Sequence, residues 1–96
     1  MRSYEVAYIV DPDVDEEGLE ELEVKIKDWI EVAGGKLGEI DRWGKRRLAY
    51  PINKKNEGYY IFIQAEMPTD APIAIERDLS LNELLMRFMV TLQETT

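Results

Sequence analysis

The sequence contains no cysteine and no histidine. Without cysteine there is neither a disulfide framework nor a thiolate metal site. Without histidine, the commonest general base and the commonest metal ligand are both missing. No apolar run approaches the ~18 residues needed to cross a bilayer. The opening Met1-Arg2-Ser3-Tyr4-Glu5-Val6 alternates like a strand and lacks the apolar stretch of a signal peptide. A cytosolic protein with no membrane contact is the expectation. Glycine-rich phosphate loops are missing as well. The segment ahead of the first expected helix, Asp11 to Gly18, is acidic and repels phosphate.

The chain has 96 residues, 45% of them apolar, and a net charge of −8. That length suits one domain spanning 1–96 with a core of its own. The charge is unevenly spread. Asp11 to Glu31 holds ten acids against Lys25 and Lys27. Arg42 to Lys55 holds Arg42, Lys45, Arg46, Arg47, Lys54 and Lys55 with no acid. Phosphate contacts depend on the local field, so a basic stretch can act on an acidic protein. The acidic segment reads as a solvated helix face, the usual meaning of such a run.

Six elements follow from periodicity and punctuation. Ser3 to Val10 is a strand apolar on both faces, hence central in its sheet. Asp11-Pro12-Asp13 is a turn, and Asp13 or Asp15 caps a helix to about Ala33. Leu19, Leu22, Ile26, Trp29 and Ala33 form its buried stripe, and Gly34-Gly35 ends it. Lys36 to Ile52 is a long strand with bulges expected at Gly38 and Gly44. Asn53 to Gly58 reads as a polar hairpin loop, and Tyr59 to Met67 as a third strand. Pro68-Thr69-Asp70 caps a short helix with Pro72 in its first turn and with Ile75 and Leu79 facing the core. Leu85 to Leu92 is the last strand. The βαββαβ order predicts an α+β, ferredoxin-like sandwich. Its four antiparallel strands lie in the order 4-1-3-2, with both helices on one face.

Alternation then assigns the two faces. Tyr4, Val6, Tyr8, Val10, Leu48, Tyr50, Ile52, Tyr59, Ile61, Ile63, Ala65, Phe88, Val90 and Leu92 are expected under the helices. Ala7, Ile9, Ala49, Pro51, Tyr60, Phe62 and Met89 fall on the open face, rimmed by Glu5, Arg47, Gln64 and Arg87. An apolar patch with a charged rim marks a partner surface. The partner can be another protein, protein plus RNA, or a second copy of the chain. The cations from Lys45 to Lys55 lie on an edge strand and its hairpin. There they either block aggregation or hold phosphates, for which the arginine fork is suited.

Catalytic chemistry is not expected. Glu16-Glu17 and Glu20-Glu21 sit on an exposed helix with no desolvation to tune them. Asp11, Asp13 and Asp15 have suggestive spacing for calcium, but the glycine and closing glutamate of an EF-hand loop are not in place. The acidic first loop excludes an acylphosphatase-type anion site. An RNA recognition motif shares the topology, but Glu57 to Gln64 matches its third-strand signature only at Gly58 and Tyr59.

The run Trp43-Gly44-Lys45-Arg46-Arg47-Leu48-Ala49-Tyr50-Pro51-Ile52, followed by Lys54 and Glu57-Gly58-Tyr59-Tyr60, resembles the family of the sixth protein of the bacterial small ribosomal subunit. Met1 to Glu5, Arg77 to Glu83 and Met86 to Val90 look like that family too. The resemblance covers essentially the whole chain. Ser80 and Met86 depart from it, standing where close relatives often carry arginine. The resemblance implies a non-enzymatic constituent of the small ribosomal particle in the cytoplasm, without cofactor or metal. It implies pairing with the eighteenth protein of that subunit and joint binding to the central domain of the small-subunit rRNA. Arg2, Arg46, Arg47, Lys54 and Arg87 match the family's basic positions and are the expected RNA contacts. The open face, with Ala7, Ile9, Ala49, Tyr60, Phe62 and Met89, is then expected to receive the protein partner.

Overall fold

The computed structural model describes residues 1–93. The elements are β1 (Arg2–Val10), α1 (Glu16–Val32), β2 (Lys36–Ile52), β3 (Lys55–Met67), α2 (Ala71–Ser80) and β4 (Leu85–Leu92). The strands form one antiparallel sheet in the order β2-β3-β1-β4. This is the expected ferredoxin-like arrangement.

Local chemistry sets the helix ends. The Asp15 carboxylate accepts from the Gly18 N–H at 2.8 Å and so caps α1. At the other end, the Gly34 and Gly35 N–H groups donate to the Glu31 and Ile30 carbonyls at 3.0 and 2.9 Å, a Schellman closure. Asp70 stands at the start of α2, but its side chain makes no capping bond. A backbone bond from the Ala71 N–H to the Pro68 carbonyl, 3.0 Å, starts that helix instead.

The core lies between the sheet and the helices. Val6, Val10, Ile26, Ile30, Ile63, Met67, Ile75 and Leu79 have no exposed surface. Each side chain withdrawn from water in this way contributes roughly 1.5–3 kcal/mol. Ile30 belongs to the fully buried set of α1, whereas Leu19, Trp29 and Ala33 of the expected stripe are only partly buried. The wider stripe reflects a helix packed against both the sheet and α2.

The hairpin between β2 and β3 is tighter than the sequence suggests. Asn53 and Lys54 both have positive φ, 49° and 65°, as in a two-residue turn whose twist matches its strands. The polar run after it, from Lys55 to Gly58, is strand. Arg47 pairs with Glu57 and Arg46 with Gly58. Polar composition mimics a loop here because Lys55 to Glu57 lie toward solvent, while Gly58 is buried.

Gly58 has a packing reason to be glycine. A Cβ there would meet Ile9 Cγ2 at 2.5 Å and the Val10 carbonyl at 3.2 Å. Gly58→Ala should therefore cost about 1–3 kcal/mol through overpacking and shift Ile9 on the open face. Urea denaturation measures the first effect. An unchanged midpoint would show that Ile9 yields freely.

Candidate nucleic-acid and protein interface

The side of the sheet away from the helices is built in rows. Met89, Ala7, Phe62 and Asp41 stand side by side across β4, β1, β3 and β2. Arg87, Ile9, Tyr60 and Gly44 form the next row. On the other side of the first row, Glu5 pairs with Gln64, whose amide donates to the Glu5 carboxylate at 2.7 Å. The apolar middle is thus Ala7, Ile9, Tyr60, Phe62 and Met89, with Met89 60% exposed.

Trp43 joins this face through a bulge, and alternation alone did not assign it there. Arg42 pairs with Ile61 and Gly44 with Tyr60, so Trp43 is the extra residue between them. Gly44 takes φ +78°, a conformation a side chain at that position would resist. The displaced indole packs on Phe62, with ring centroids 4.8 Å apart, and stacks near-parallel to Tyr60 at 6.2 Å. Its N–H donates to the Asp41 carboxylate at 2.9 Å, which fixes the ring.

The bulge also reorders the cations. Arg46 shares the open-face row of Gly58, donates through Nε to the Trp43 carbonyl at 3.1 Å, and lies 5.9 Å from the indole centroid. Arg47 pairs with Glu57 in the alternate row, yet its side chain lines the same cavity as Trp43, Arg46 and Tyr60. Past Arg47 the pairing slips until Ile52 meets Lys55. Ala49 lies in this unpaired stretch and is exposed. Leu48 is buried, but outside the core cluster beneath the helices. Tyr50, expected under the helices, is instead half-exposed with its ring 5.1 Å from the Arg87 guanidinium. Lys54 occupies the hairpin turn. Arg2 stands at the other end of β1, opposite Met67. Arg46, Arg47, Lys54 and Arg87 are therefore gathered around one hairpin, and Arg2 is not.

The two ends of the basic stretch are held by acids from the first helix and its loop. Arg42 makes a bidentate bond to Glu23, both contacts 2.7 Å, and Lys55 pairs with Asp13. Asp11 accepts from the Asp13 N–H at 2.8 Å, so the three aspartates of the loop have separate structural tasks. Among the described residues, Arg46, Arg47, Lys54 and Arg87 form no ion pair. Among the described residues, the ends of the stretch are anchored by ion pairs and the arginines in its middle are not.

The Arg42 fork, with smaller help from Lys27, holds the Glu23 carboxyl below its ordinary 4.5. Burial pushes the Tyr8 phenol beneath it well above its ordinary 10.0, so that group stays neutral. A depressed carboxyl stabilises the fold above its unfolded pKa and stops doing so as pH falls through the folded value. Glu23→Gln should cost about 0.5–1 kcal/mol at pH 7. The gap between the two chains should close below pH 4.5, the ordinary value of the group. Chemical denaturation at pH 7 and pH 3 measures this, and a gap that persists at pH 3 would contradict it.

The sequence profile of ribosomal protein S6 matches residues 3–91. The chain belongs to the ribosomal protein S6 family. Small ribosomal subunit protein bS6 of Clostridium novyi is 44% identical over 90 residues, 94% of this chain and 95% of that protein. The bS6 protein of Natranaerobius thermophilus is 42% identical over 94 residues, 98% of each chain. The crystal structure of 30S ribosomal protein S6 from Thermotoga maritima superposes with a TM-score of 0.92 at 31% identity, covering 96% of this chain and 87% of that one. In this S6-family chain, the Trp43-to-Tyr60 region that carried the resemblance is the hairpin just described, with its bulge and with arginines that form no ion pair among the described residues.

Proposed function

We propose that this chain binds the central domain of the small-subunit rRNA together with the eighteenth protein of the subunit. As an S6-family member it is a structural protein of the small ribosomal subunit, and its place is the cytoplasmic ribosome. The finer reading concerns what each surface holds. The apolar rows around Ala7, Ile9, Phe62 and Met89 suit a protein partner, since burying them removes exposed carbon from water. The arm bearing Arg46, Arg47 and Lys54 suits phosphates, with Arg87 at its base and Arg2 a separate contact at the far end of β1. The observation that carries the reading is the charge state of the arm. Its terminal cations are neutralised within the fold, and among the described residues the arginines between them have no carboxylate partner.

Recognition of this kind is led by shape. The deep major groove of A-form RNA is closed to side chains, so phosphate positions and folded contours carry the selectivity. No catalytic step, metal or small-molecule substrate enters the proposal.

The test is retention of central-domain rRNA by the chain alone, by the eighteenth protein alone, and by both. Joint binding stronger than either alone, and weakening as salt rises, is the expected result. A chain that forms a stable homodimer and adds nothing to RNA binding would overturn the reading.

A further inference from the structure

We propose that the cleft at the β2 margin of the open face receives one unpaired RNA base, stacked on Trp43. This rests on the RNA-binding reading above and adds what part of the RNA the margin holds. The cleft has a volume of about 620 Å³ and is lined by Asp41, Arg42, Trp43, Arg46, Arg47 and Tyr60. That is room for one nucleotide, in a recess too open for a buried cofactor.

Three features select a nucleotide. The first is a flat aromatic wall. Trp43 and Tyr60 lie within 18° of parallel, and Trp43 remains 48% exposed, so ring surface is available. Every base has a π-face, and such surfaces hold bases with little regard to sequence. The second is charge. Arg46 lies over the indole, 5.9 Å from its centroid, Arg47 lines the same cleft, and among the described residues neither forms an ion pair. A guanidinium beside an aromatic wall can hold the phosphate of a stacked nucleotide or stack on the base itself. The third is fixity. The indole is pinned by its bond to Asp41, by the bulge at Gly44 and by its packing on Phe62. A ring already held loses little freedom on binding.

A protein side chain in the same cleft is the competing occupant. An aliphatic or aromatic anchor from the partner would use the ring but leave the two arginines unanswered. The central rows around Ala7 and Met89 are the more apolar place for such an anchor. Charge complementarity therefore assigns the margin to RNA and the centre to protein.

The experiment compares the wild-type chain, Trp43→Phe and Trp43→Leu, each with the eighteenth protein, in binding to central-domain rRNA. Partner binding without RNA is measured in parallel. Trp43→Leu should weaken RNA binding roughly 5- to 100-fold, the range for loss of one stacked base. Trp43→Phe keeps a π-face and should recover most of the affinity. Partner binding should be unchanged by either substitution. Equal RNA affinity for wild type and Trp43→Leu would overturn the stacking proposal while leaving the RNA reading intact. Weakened partner binding without RNA would overturn it in favour of a protein anchor. A wild-type complex with no RNA affinity would overturn both.

Discussion

Replacing Arg46 and Arg47 together by glutamate should lower the rRNA affinity of the partner-loaded chain by on the order of 100-fold at moderate salt. The charge on the hairpin changes by four units at two exposed positions. Each phosphate contact contributes about 0.9 to the slope of log affinity against log salt, so the double variant should also show a slope shallower by about 2 if each arginine meets one phosphate. The fold should tolerate the change. Both residues are exposed, and among the described residues the side-chain bonds at risk are the Arg46 contacts with the Trp43 carbonyl and ring. Filter binding across a salt series, beside a thermal melt, measures both quantities. An unchanged slope with an intact fold would mean that the arm touches no phosphate.

The second large effect is expected on the protein side. Met89→Glu places a charge beside Ala7 in the central row, where the partner is proposed to exclude water. An unpaired carboxylate sealed in such a place is expected to cost roughly 2–5 kcal/mol of binding, at 1.4 kcal/mol for each factor of ten. Partner affinity should thus fall roughly 30-fold or more. The isolated chain should be nearly as stable as before, because Met89 is 60% exposed and contributes little to the core. Calorimetric titration with the eighteenth protein decides the matter. Retained affinity would move the partner off the open face. The two variants also separate the surfaces: the arginine pair should leave RNA-free partner binding nearly unaltered, and Met89→Glu should abolish only the binding that depends on the pair.

Much of this was legible in the sequence because the elements keep their periods. In β1, every second residue from Tyr4 to Val10 is buried, as alternation requires. The same holds for β3 from Tyr59 to Met67 in all but Tyr59 itself, which is half-buried beneath Lys45. β2 was the hard strand. Counting by two fails wherever a residue is inserted, and the register shifts around Gly38, at Gly44 and after Arg47 insert several. Trp43 therefore escaped assignment to the open face, Arg46 and Arg47 exchanged rows, and Tyr50 was expected on the wrong side. Gly44 carried the signal for the bulge but could not fix its register. The extent of the hairpin was misread for a different reason. Lys55 to Glu57 is polar because it stands clear of the core, Gly58 is buried against Ile9 and Val10, and composition does not distinguish a solvated strand from a loop. The basic site residues came from the charge run and the family resemblance, the apolar open-face set came from strand alternation, and Trp43 came from neither.

The anchoring of Arg42 and Lys55 by the first helix and its loop has an electrical consequence. The first loop and helix hold ten acids against two lysines, and Arg42 to Lys55 holds six cations and no acid, so acidic residues crowd the first helix and basic ones the hairpin. A polyanion turns such a body as it approaches, repelling one layer and drawing in the other. Under the proposed RNA binding, the surplus acid of this chain would act as a rudder, discouraging attachment by the wrong side.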